Sequence, residues 1–178
     1  MPGSPLQSAI VFALSNFSLT FLVVGWLFAA VAIARASTVT SALVVEKLLA
    51  WHVFWVTGVC NLYNFVMHVF FGEVAARFIG WADSPFQTEV GFASLGFAAV
   101  GFLAFRGDRG LRIAAVVGPS LFLLGAAGGH IYQMITAHNF AAGNAGIIFW
   151  TDILVPAIGF GLLYLQSRHA TARSQPLD

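Results

Sequence analysis

The 178 residues are 59 % hydrophobic and only 8 % charged, with a mean hydropathy of +0.86. Soluble domains carry roughly 25 % charged residues, so this chain lacks the charge to cover a water-exposed surface and reads as an integral helical membrane protein. The net charge of +1 without a basic patch argues against a nucleic-acid partner, and the lone Cys60 leaves no disulfide framework or CxxC redox pair.

In chain order, "MPGSPLQSAI" lacks the positive n-region and small-residue cleavage site of a signal peptide, so the first apolar run is expected to stay as a helix. Apolar runs near residues 10–34, 43–76, 86–105, 111–136 and 145–166 predict five spans, set against the ~20 residues that cross a bilayer. They are joined at "ARASTVTS", "RFIGWADSP", "RGDRG" and "AHNFAAGN". The second run is long enough to tilt or to project beyond the hydrocarbon. In "SPFQ", Ser84 reads as an N-cap, Pro85 as the first helical residue and Gln87 as the partner in a capping box. Pro119 and Pro156 fall inside the fourth and fifth spans, where each should kink its helix or free a carbonyl. The expected fold is all-α: a single transmembrane domain over residues 1–166, with helices 2–5 forming a bundle, and a short cytoplasmic tail over 167–178.

Charge orients that bundle. The 1–2 loop, the 3–4 loop and the C-terminus share one side and carry Arg35, Lys47, Arg106, Arg109, Arg112, Arg168 and Arg173, whereas the other side carries only Arg77. The positive-inside rule then places the N-terminus outside and the C-terminus in the cytoplasm.

Function has to come from the few polar residues in apolar surroundings, above all in "CNLYNFVMHVFFGE". At 100° per residue, Thr57, Asn61, Asn64 and His68 fall within roughly 60° on the second helix. Glu89 lies about one turn into the third helix, on a face shared with Ala93 and Gly96, a small face of the kind that packs against neighbours. His130 and Gln133 lie in the outer half of the fourth helix, preceded by Gly125 and Gly129, and Asp152 about two turns into the fifth. His68, Glu89, His130 and Asp152 thus come from four helices at one depth. Ionisable groups there usually face a bundle interior or a wet cavity. Two imidazoles and two carboxylates suit a divalent metal, iron or zinc, with Asn61, Asn64 and Gln133 orienting ligands or substrate. Haem b held axially by His68 and His130 is a second occupant the residues allow, although two carboxylates sit badly in a haem pocket. The bland alternative is a hydrogen-bonded polar core that only holds helices together. Glu46 and Lys47 read as snorkelling at the boundary, His52 in "WHVFW" as an interfacial or packed histidine, and His138 and Asn139 as outer-loop residues that either cap the cavity or are simply solvated.

The segments "FIGWADSPFQTEVGFASLGFAAVG", "GGHIYQM" and "FWTDILVP" resemble a group of small bacterial inner-membrane proteins of unknown function. More distantly, the layout of the last four spans resembles the DoxX-type membrane proteins, which are four-helix bundles. The resemblance covers about residues 45–165. It implies a bacterial inner-membrane location but no activity and no site residue. The reading preferred from the residues is a metal-binding protein or metalloenzyme, an oxidoreductase or hydrolase acting on a lipophilic or periplasmic small molecule. The rivals are a proton- or cation-coupled transport or binding protein, and an accessory subunit without chemistry of its own. Partners beyond the lipid bilayer would be a second copy or a larger membrane complex.

Overall fold

The computed structural model describes residues 4–173. Two short segments open the chain. Ser4 caps α1 (Pro5–Ser15), accepting from the Gln7 N–H at 3.2 Å, with Pro5 at its first turn. The helix breaks at Asn16, whose φ and ψ are −115° and 43° and whose side chain donates to the Phe12 carbonyl at 2.9 Å. The first expected span is therefore cut, and only α2 (Phe17–Ala34) is long and apolar enough to cross a bilayer.

The second span is more complex than its hydropathy indicated. It runs from α3 (Ser41–His52) through a π-helical segment (Val53–Val59) into α4 (Cys60–Phe70). At the end of that segment the Cys60 N–H bonds the Trp55 carbonyl, five residues back, so the wider turn rotates everything beyond it relative to an ideal helix. The span stops at Phe71, and Glu73 belongs to a separate helix, α5 (Gly72–Ile79), which ends on Gly80 at φ 78°. The third, fourth and fifth spans are α6 (Phe86–Ala104), α7 (Arg109–Thr136) and α9 (Ile147–Arg173), the last preceded by the one-turn α8 (Ala142–Ala145). α9 extends through 167–173, part of the stretch expected as a tail, and residues 174–178 lie outside the described residues.

The capping box at α6 does not form. Ser84 contributes only its backbone carbonyl to the Gln87 N–H (3.0 Å), because the Gln87 side chain turns back to His68 and to the Gly72 carbonyl. α7, by contrast, is capped by its aspartate: the Asp108 carboxylate accepts from the Leu111 N–H at 2.9 Å.

Five helices are long and apolar enough to span a membrane, and their packing forms a helical membrane bundle. The second span packs on α6, α6 on α7, α7 on α9, and α9 back on α3, closing a ring of spans two to five. α2 lies outside that ring against α3 and the π segment, with an edge on α9. Close approach of α6 to the second span depends on small residues. A Cβ on Gly101 would lie 2.5 Å from the Gly58 nitrogen and 2.8 Å from the Val53 carbonyl oxygen. The packed face is thus Gly91, Ser94, Ala98 and Gly101, all buried, and not the face of Glu89, Ala93 and Gly96. Both stripes have helical spacing, and only contact with the second span distinguishes them.

Proline has the consequence expected of it in α7. Pro119 leaves the Ala115 carbonyl without its helical donor, and the buried Thr57 hydroxyl of the π segment donates to that carbonyl at 3.0 Å. At the opposite end of the bundle from Trp81, Arg112 is buried. It pairs with Glu46 at 2.5 Å and donates to the Ala104 and Phe105 carbonyls at the end of α6, while Gln166 of α9 reaches the same Glu46 oxygen at 3.3 Å. Glu46, whose side chain is still 45 % exposed, is therefore also a tie between helices.

The glycine contacts make a paired prediction. Gly101→Ala should destabilise the detergent-solubilised protein by about 1–3 kcal/mol through overpacking, whereas Gly96→Ala, with nothing within 4 Å of its Cβ, should leave the melting temperature unchanged or raise it. Equal effects of the two substitutions in a thermal-melt comparison would contradict this packing.

Candidate functional site

The most completely built polar cluster lies where α7 and α9 meet the two connections at one end of the bundle. His130 is six residues before the end of α7, and Asp152 five residues into α9, roughly 8–9 Å from the helix termini. Both are 5 % exposed. The His130 Nε2 lies 3.4 Å from the Asp152 Oδ2. On the other side of the ring, Nδ1 lies 2.8 Å from the Oδ1 of Asn144, a residue of α8 with no exposed surface.

Asn144 uses its whole amide. Its oxygen accepts from the Trp81 indole N–H at 2.9 Å as well as from His130, and its nitrogen donates to the carbonyls of His130 (3.2 Å) and Asn139 (2.9 Å). Turning the amide over would face its NH₂ toward the indole N–H and its oxygen toward two carbonyls, so Trp81 sets its orientation. The orientation in turn decides the tautomer. His130 carries a proton on Nδ1, and its Nε2 is left to share one with Asp152.

The neighbouring backbone holds this arrangement in place. Trp81 follows the left-handed Gly80, lies over Gly129 of α7, and has its ring centre 5.4 Å from that of His130. Asn139 joins the two connections: its amide donates to the carbonyls of Ile79 and Gly80 at 3.0 and 3.1 Å and accepts from the Ala141 N–H at 3.0 Å. Gly143 is required where α8 meets α5, since a Cβ there would come within 2.7 Å of the Phe78 carbonyl oxygen. Gln133, half-buried, serves the loop through its backbone carbonyl, which accepts from Ala137 and Asn139.

The remaining expected site residues are elsewhere. His68 is half-buried, with its Nδ1 bonded to Gln87. Glu89 is exposed on the outer face of α6. Asn61 donates to the Thr57 and Val56 carbonyls, at 2.9 and 3.4 Å, and so tends the π segment. Asn64 donates to the buried Ser94 hydroxyl at 2.9 Å and ties α4 to α6. Of the four expected ligands, His130 and Asp152 come together and His68 and Glu89 do not join them. Among the described residues no three His, Cys, Asp or Glu side chains converge. The axial haem expectation meets a further obstacle, because both ring nitrogens of His130 already face protein partners. Asn144, Trp81 and Gln87 were not singled out as partners of the histidines. The signal that was available is an asparagine closing "AHNFAAGN" immediately before an apolar helix.

Comparison with known proteins places the chain. It belongs to a family of unknown function, DUF6790, whose profile matches residues 15–172. No curated protein and no solved structure matches it. The DUF6790 match takes in every residue of the cluster, from Trp81 to Asp152.

Removing the amide hub gives a test of this network. Asn144→Ala strands the buried His130 Nδ1–H, the Trp81 indole N–H and two carbonyl contacts, at ~1–3 kcal/mol for each buried group left unpaired. It should therefore lower thermal stability well beyond Trp81→Phe, which removes a single donor. A melt in which the two variants match would show that the amide is not the hub.

Proposed function

We propose that this membrane protein binds and releases a proton at the His130–Asp152 pair, as the proton-exchanging step of a transport or binding cycle. The observation that carries the reading is the 3.4 Å approach of Nε2 to Oδ2 between two buried side chains, with Nδ1 already committed to Asn144. An isolated charge in such surroundings is costly. One shared proton leaves the pair net neutral, whether as imidazole with carboxylic acid or as imidazolium with carboxylate. Gaining or losing a proton changes the charge of the cluster, which is the requirement for coupling to another event. Ionisable residues inside membranes serve proton relays for this reason.

A zinc or iron ion on Nε2 and the Asp152 carboxylate would need further protein ligands, and among the described residues no third His, Cys, Asp or Glu reaches them. The proton is therefore the preferred occupant. The arginine distribution supports an N-terminus outside, which puts the pair near the outer face; a bacterial inner-membrane location is what the resemblance implies. The ring of spans two to five supports the DoxX likeness as a proposal about architecture alone.

Infrared difference spectroscopy on reconstituted protein, stepped through the pH range in which it stays folded, tests the reading directly. A protonated-carboxyl band should appear in the native chain, vanish in Asp152→Asn and shift in His130→Gln. In proteoliposomes under an imposed gradient, proton flux should fall in Asp152→Asn to the level of protein-free vesicles. A native chain in which neither an Asp152 carboxyl band nor a His130 imidazolium band responds to pH would rule out proton exchange at this site.

A further inference from the structure

The apolar middle of the bundle holds a histidine. His52, the last residue of α3, is 2 % exposed, and its Nδ1 has no hydrogen-bond partner. Packing alone is a poor reason to keep an imidazole there. A phenylalanine would fill similar space without burying an unpaired polar nitrogen, which costs about 1–3 kcal/mol.

The other ring nitrogen locates the side chain. Nε2 lies 3.4 Å from where a Cβ of Gly159 would be, so His52 reaches across from α3 to α9. Gly159 is seven residues from Asp152 on one side and seven from Gln166 on the other. Seven residues fall about 20° short of two full turns, so the three positions share one face of α9 at intervals of roughly 10 Å. The first level holds the His130–Asp152 pair. At the last, Gln166 donates to Glu46, which pairs with the buried Arg112. His52 meets α9 midway between them.

Polar atoms without partners fall along the same line. Among the described residues three buried side-chain atoms lack one, and two of them are His52 Nδ1 and Gln166 Oε1. The third, Trp55 Nε1, belongs to a ring packed against Phe21 and Phe28 of α2. Pro156, fully buried, has no N–H to give the Asp152 carbonyl, and a helical carbonyl at that position points along α9 toward Gly159. A buried water makes two to four hydrogen bonds to such groups. The carbonyl below Asp152, the imidazole and the Gln166 oxygen are therefore successive holds for water between the two polar ends.

We infer that His52 is the relay that carries the proton between the His130–Asp152 pair and the Glu46–Arg112–Gln166 cluster, through water in the seam between α3 and α9. A proton leaving Asp152 binds the unprotonated ring nitrogen, and the proton on the opposite nitrogen passes to water at Glu46, whose side chain is 45 % exposed. The ring ends neutral, and turning it over restores the starting tautomer. This inference rests on the proton reading of the His130–Asp152 pair and adds to it a route across the bundle.

The test combines proton flux and infrared difference spectra on the same proteoliposomes, for the native chain, His52→Phe and His52→Gln. In both variants the Asp152 and His130 bands should keep their response to pH, which also shows that the bundle is folded. Flux under an imposed gradient should fall to the level of protein-free vesicles in both. Phenylalanine keeps the shape of the ring and glutamine keeps a polar side chain, so a histidine serving only to pack or to hydrogen-bond predicts native flux in one of them. Native flux in either variant overturns the inference. A native chain whose bands respond to pH but which carries no flux overturns the relay and leaves proton exchange at the pair standing. A native chain without those bands removes both.

Discussion

A polar group inside hydrocarbon has no water to turn to, so a donor or acceptor there is costly unless it finds its partner within the protein. The arrangement of this bundle follows from that constraint. Asn144 meets it completely, with two donors and two acceptor positions used and no surface exposed. Because the Trp81 indole can only donate, it determines which way the amide points. The amide determines which nitrogen of His130 carries a proton, and the histidine then presents its other nitrogen to Asp152. A residue on a connection thereby controls the chemistry of a pair inside the membrane.

The second span obeys the same rule by a different route. A π turn leaves helical carbonyls poorly matched, and Asn61 donates back to those of Val56 and Thr57. Thr57, within the π segment, supplies the donor that Pro119 denies to Ala115. Two irregularities on facing helices are thus resolved by one another. The glycines at 58 and 101 let the backbones come close enough for α6 to pack directly on the π segment. Polar residues that look like site material in a helical projection are here part of the helix scaffold.

The bundle has polar clusters at both ends and an apolar layer between them. At one end lies the clasp of Trp81, Asn139 and Asn144 over the His130–Asp152 pair, and at the other Arg112, Glu46 and Gln166. Leu49, Val53, Ala104, Ala115, Val116 and Leu162 form a buried core cluster. His52, buried beside Gly159 and Val116, belongs to this apolar region and its Nδ1 makes no hydrogen bond, so of the interfacial and packed positions open to "WHVFW" it takes the packed one. A proton reaching Asp152 from the clasp end need not cross that layer.

Composition and hydropathy were sufficient to determine an all-α membrane protein with five spans, because bilayer thickness and the absence of water act on each helix separately; that the expected bundle of the last four closes into a ring was decided by packing. Sequence also marked His130 and Asp152 as residues out of place in apolar helices. The azimuth of each helix was decided only on packing. The π segment altered the register beyond Thr57, the face of Gly91 to Gly101 took the contact with the second span in place of the face of Glu89, and Gln87 abandoned its cap for His68. Depth in a membrane can be counted along a chain, whereas direction depends on which neighbour a helix meets. For that reason four ionisable residues shared a depth in the sequence, while in the folded chain only His130 and Asp152 share a site.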